Sequence, residues 1–144
     1  MPANAYLPAV MPTFVQAKNS SGPTIPAGSG VVITGTSFGA PVPGAAETAV
    51  PAFSFALPTV TVTIGSLGIT RDRDIVGGDI GLVATAGSVV AARSDGTGTT
   101  FSPLTITTSG ALTVASSGSE VIAHGLAAST GSAIWCRVVE PYVL

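Results

Sequence analysis

Apolar and polar side chains alternate along much of this chain. In TVTVTI (59–64), Thr59, Thr61 and Thr63 fall on one face of an extended backbone and Val60, Val62 and Ile64 on the other. That period of two marks a half-buried strand. Downstream, turn signals recur at short intervals: Gly77-Gly78, Gly87-Ser88, Asp95-Gly96, Ser109-Gly110, Ser117-Gly118 and Thr130-Gly131. Between them the pattern predicts strands at IGLVAT (80–85), SVVAAR (88–93), LTITT (104–108), ALTVA (111–115), EVIAHGLA (120–127) and AIWCRVVE (133–140). VVITGT (31–36) supplies an earlier strand. No segment sustains the i, i+3, i+4, i+7 apolar recurrence of a helix, and β-branched residues dominate the candidates. Only a short helical turn near Gly44 to Thr48 is expected. The fold class is therefore all-β, a small β-sandwich or partly closed barrel.

The first third is different material. Nine of the eleven prolines lie at or before Pro58, and the only charges before Arg71 are Lys18 and Glu47. Proline fixes φ and removes an amide donor, which disfavours helices and central strands. Residues 1–30 therefore read as an extended Pro-rich N-terminal arm. Residues 31–144 read as a β-domain with a long Pro/Gly-rich loop at 38–58. An apolar, nearly chargeless arm needs a surface to lie on, which makes Tyr6, Leu7, Val10, Phe14 and Val15 candidate interface residues.

Composition sharpens this. Of 144 residues 8% are charged and 46% hydrophobic, against roughly 25% charged in an ordinary soluble domain. Mean hydropathy is +0.61. Twelve charged side chains cannot cover a surface of this size, and the remaining polarity comes from Thr, Ser and Gly, which solvate weakly and tolerate burial. Such a surface suits permanent contact. The net charge of −2 lacks the clustered Lys and Arg of a nucleic-acid binder. Ser, Thr, Gly and Pro interrupt every apolar stretch, so no membrane helix is expected. MPANAYLPAVMPTFVQAK has no basic start and is broken by Pro2, Pro8 and Pro12, so it does not read as a secretory signal. Cys136 is the single cysteine, consistent with a core thiol in a reducing cytoplasm.

Candidate chemistry is sparse. Arg71-Asp72-Arg73-Asp74, with Asp79 nearby, concentrates charge. The spacing lacks the position-12 Glu of a calcium loop, so a solvated or intersubunit ion-pair turn is the better reading. His124 is the only histidine, and no GxSxG, HExxH or Cys-His constellation accompanies it. It is expected at a strand surface or interface, and neither catalysis, a metal nor a cofactor is expected. Gly28-Ser29-Gly30 and Gly96-Thr97-Gly98 lack the order of a phosphate loop and read as turns. Period two in the last strand puts Trp135 and Arg137 on one face and Ile134, Cys136 and Val138 on the other. Trp135 suits an interface or a core equally well.

The stretch from Val89 to Val139 resembles the closing part of small head decoration, or cement, proteins of tailed bacteriophages. The likeness rests on SVVAARSDGTGTT, a Thr-rich middle, the element Ile122 to Ala127, the turn Thr130-Gly131-Ser132 and a final apolar strand. Residues 38–58 have no counterpart in that pattern. The resemblance implies a β-rich homotrimer on the outer surface of a virion capsid, made in the host cytoplasm, whose N-terminal arm runs over neighbouring major capsid protein subunits. Its partners would be the major capsid protein and itself, with no direct nucleic acid and no membrane. Other readings are a different virion β-module (head-fibre base, minor capsid or tail component), an outer-membrane β-barrel, or a small hydrolase acting through His124. The proline load and sparse aromatics weigh against the barrel.

Overall fold

A computed structural model describes residues 14–35, 43–44, 53–58 and 66–144. Ten strands run through them: β1 (Phe14–Asn19), β2 (Gly30–Gly35), β3 (Phe53–Ala56), β4 (Ser66–Arg71), β5 (Ile80–Ala84), β6 (Val89–Arg93), β7 (Pro103–Ile106), β8 (Leu112–Val114), β9 (Glu120–Gly125) and β10 (Ala133–Val143). The protein is all-β. β1, β3, β2, β4 and β5 close into a barrel, and β6, β10, β9, β7 and β8 form a second five-stranded sheet in that order.

The barrel contains one unit twice. β1, a loop and β2 recur as β4, a loop and β5, with Ile25 and Ile75 50 residues apart at equivalent places. Gly28 and Gly78 follow them, both at positive φ, 79° and 88°. Each unit pairs with the other: β1 runs antiparallel to β5 with Phe14 opposite Ala84, and β2 runs antiparallel to β4 with Gly30 opposite Ile69. β4 and β5 also pair directly, while β3 fills the gap between β1 and β2. Closure leaves the barrel no free edge.

Alternation divides the core in two. Ala17, Ile25, Val31, Phe55, Ile75 and Val83 fill the barrel. Leu67, Ile69 and Ala84, from the outer face of β4 and β5, pack on Ala92, Leu104, Ile122, Ile134, Cys136 and Val138 of the second sheet. Main-chain bonds join the bodies, from Arg93 N to Gly28 O at 2.8 Å and from Gly30 N to Gly110 O at 2.7 Å. Gly30 suits this approach, since a Cβ there would stand 2.7 Å from Ile106 Cγ1 and Ile106 would have to shift.

Two sequence readings need correction. Residues 14–30 are no free arm: β1 is a barrel strand hydrogen-bonded on both sides, and Ile25 and Ser29 are fully buried. Residues 31–144 therefore cannot make up the β-domain alone. The prolines misled because Pro23 and Pro26 sit in the β1–β2 loop, where no ladder bond is needed. The loop read at 38–58 likewise contains β3, whose Phe55 is buried in the barrel. Tyr6, Leu7 and Val10, the strand read at 59–64, and Ala45 to Thr48 lie outside the described residues; Gly44 sits in a turn at φ 83°. The six later strand readings each coincide with a strand of the second sheet or β5, within a few residues at the ends.

Candidate interaction surface

The outer face of the second sheet is built by cross-strand registry. Ala91 of β6 lies opposite Trp135 of β10, and Val89 opposite Arg137. On the other side Arg137 faces His124, which faces Pro103 of β7. Leu126 N donates to Trp135 O at 2.8 Å and extends the first row. Two parallel rows result, Ala91–Trp135–Leu126 and Val89–Arg137–His124–Pro103. Trp135 is 58% exposed and Val89 46%, so Trp135 takes the surface place while Ile134, Cys136 and Val138 are buried beneath it. His124 Nε2 lies 2.7 Å from Tyr142 Oη, with the rings edge to face. Tyr142 is a partner the sequence reading missed, because a register shift between Val138 and Tyr142 breaks the simple alternation.

The charged corner lies where β4 ends. Asp72 has a φ of 72°, and Arg73 N donates to Arg71 O across it at 2.9 Å, a tight γ-type turn. The one ion pair among the described residues joins Arg71 Nε to Asp72 at 3.3 Å. Arg71 also stands 5.5 Å from the centre of the half-exposed Phe14 ring. The other two charges of the cluster are tied to main chain: Arg73 Nη2 donates to Ile80 O at 2.7 Å, and Asp74 Oδ1 accepts from Ala27 N at 2.9 Å. Among the described residues the expected ion-pair turn thus holds one pair and two loop anchors. Val15 is half-buried against the barrel core, so Phe14 is the β1 candidate that faces outward.

Buried ionisable groups sit elsewhere. Cys136 is fully buried, and burial pushes its thiol up to about 12. Glu120 is 6% exposed, its Oε2 meets no donor among the described residues, and burial raises its carboxyl above the usual value. Asn19, also missed from sequence, is fully buried; its Nδ2 donates to Ile75 O at 2.8 Å and Pro23 O at 3.0 Å. Among the described residues no three His, Cys, Asp or Glu side chains gather as metal ligands. No described helix is long and apolar enough to cross a membrane.

Compared with known proteins, the chain matches no family model, no curated protein and no solved structure.

Proposed function

We propose that this chain is a structural virion protein that seats on the outer surface of a tailed-phage capsid. Several copies, as a homotrimer, would bridge major capsid protein subunits and stabilise the shell. One observation carries the reading: in a chain with only 8% charged residues, the described surface exposes Phe14, Val76, Ile80, Val89, Phe101, Trp135 and Val143, with Phe101 81% exposed. Where exposed apolar side chains adjoin, as Val89 and Trp135 do on neighbouring strands, they read as a contact surface. The rows around Trp135 and Arg137 hold the residue types that dominate interface energetics, flanked by the apolar Ala91, Val89 and Leu126, which cost little to dehydrate. Each copy would bury apolar area at roughly 25 cal/mol per Å², and linking copies multiplies the hold through effective concentration. No step of this role requires an active site.

The test is attachment. Purified chain is mixed with capsids lacking it and sedimented, alongside Trp135→Ala and Arg137→Ala. The reading expects saturable binding that each substitution weakens at least tenfold while thermal stability holds. Failure of the wild-type chain to co-sediment with any capsid of its source removes the proposal.

A further inference from the structure

We propose that the protein covering the outer face of the second sheet brings a carboxylate side chain to Arg137. The inference deepens the capsid reading and rests on it, naming the chemistry that the covering surface carries.

The four arginines differ in how they are held. Arg71 Nε pairs with Asp72, and its guanidinium stands over the Phe14 ring. Arg73 Nη2 donates to Ile80 O at 2.7 Å. Arg93 Nη1 donates to Ser109 O at 2.8 Å and to Ser29 Oγ at 3.2 Å. These three have work inside the fold. Arg137 is exposed, and its guanidinium meets no acceptor or carboxylate among the described residues.

Placement gives that freedom a consequence. β10 is an inner strand, with β6 on one side and β9 on the other. Val89 stands opposite Arg137 across the first pairing and His124 across the second. Trp135, two residues back along β10, shares the face. A surface that seats on Trp135 and Val89 therefore also takes Arg137 out of water. A guanidinium dehydrated without a counter-charge opposes binding strongly, and only an anion in good geometry offsets that cost. Neither cross-strand neighbour supplies one: Val89 is apolar, and the His124 ring, bonded through Nε2 to Tyr142 Oη at 2.7 Å, carries no negative charge. The anion has to come from the covering protein.

The kind of anion follows from what surrounds the site. Phosphate-bearing polymers are held by clustered cations, whereas Arg137 is the one arginine or lysine in the rows Ala91–Trp135–Leu126 and Val89–Arg137–His124–Pro103. A single planar guanidinium matches a single carboxylate, whose two oxygens accept its paired donors side by side. Trp135 beside it offers apolar area for the partner to cover, which keeps water off the pair.

Two substitutions in the full-length chain read this pairing. Arg137→Met keeps much of the apolar stem and drops the charge. A carboxylate on the covering protein is then left buried and unpaired, so capsid affinity should fall roughly thirtyfold or more. Arg137→Lys should lose less, and the thermal melts of both variants should match the wild type. In a second measurement, the Arg137→Lys chain bound to capsids is treated with a carbodiimide, which condenses an amine with an adjoining carboxylate and removes water. Lys18 is the one native lysine, so mass spectrometry separates cross-links at position 137 from those at Lys18. A cross-link from position 137 to an aspartate or glutamate of the capsid protein supports the proposal. Arg137→Met binding as tightly as the wild type, or cross-links from position 137 only to other copies of this chain, would overturn it while leaving capsid attachment intact. A wild-type chain that binds no capsid would remove the capsid reading itself, and this inference with it.

Discussion

Ile25 and Ile75 exchange main-chain hydrogen bonds in both directions, each N 2.9 Å from the other's O, and both side chains are fully buried inside the barrel. This pair is where the two copies of the β–loop–β unit clasp. Each Ile sits midway along the loop of its unit, and the bridge between them ties the two loops together across the barrel. Truncating either side chain opens a cavity at the same junction. Ile25→Ala and Ile75→Ala should therefore each destabilise by about 2–5 kcal/mol, with similar values, as read from denaturant midpoints. A neutral result at either position would break the equivalence.

Gly81 approaches Ile75 so closely that an added Cβ would fall 2.6 Å from Ile75 Cγ1. Gly81→Ala should cost about 1–3 kcal/mol by overpacking. Combining it with Ile75→Val should cost less than the sum of the two single changes, since the pair is in direct contact. Additivity in the double-mutant cycle would contradict the packing described.

Where the folded domain begins is testable by truncation. Deleting residues 1–30 removes β1, Ile25 and the bonds of Asn19 and should abolish the thermal transition that the full-length chain shows. Circular dichroism melts of the two proteins distinguish the outcomes. A cooperative transition in the shorter one would restore the arm reading of residues 14–30.

Glu120 sets a pH dependence whose sign is fixed by its burial. Burial favours the neutral acid, so the folded-state value lies above its ordinary 4.5. The folded state then binds more protons than the unfolded one between those two values, and stability falls as pH rises through that window. Glu120→Gln, which stays neutral, should remove this decline. Melting temperatures measured from pH 4 to 8 should show the wild type losing stability relative to the variant as pH rises; parallel curves would contradict the assignment.

Cys136, buried and with its thiol pushed up to about 12, should resist alkylation in the native protein and react only after denaturation. Rapid native labelling would place it at the surface instead.

The second sheet was legible because its strands obey simple alternation and its turns carry glycine. Ile134, Cys136 and Val138 alternate with Trp135 and Arg137 in the structure as they do in the sequence. β1 was not legible, since FVQAKN alternates only through Val15, Ala17 and Asn19, and Asn19 is a polar side chain buried for its hydrogen bonds. Its flanking prolines pulled the reading toward an arm. The doubled unit left a trace in sequence, Ile-x-x-Gly at 25–28 and again at 75–78. That trace is too short to stand out without knowing that both glycines take positive φ. The face around Trp135 was half legible: its residues could be placed on one side of β10, but which strands would line up beside it is set by long-range registry.

Under the proposed function, the exposed apolar surface around Trp135 is covered by capsid subunits. The most direct measurement is a reconstruction of the capsid on which the proposal seats this chain. Density for the ten-stranded domain is then expected on the outer shell, over the joints between capsid subunits, with Trp135 and Arg137 turned toward the protein beneath. Particles that carry no such density, with the chain recovered instead as a free monomer, would contradict it.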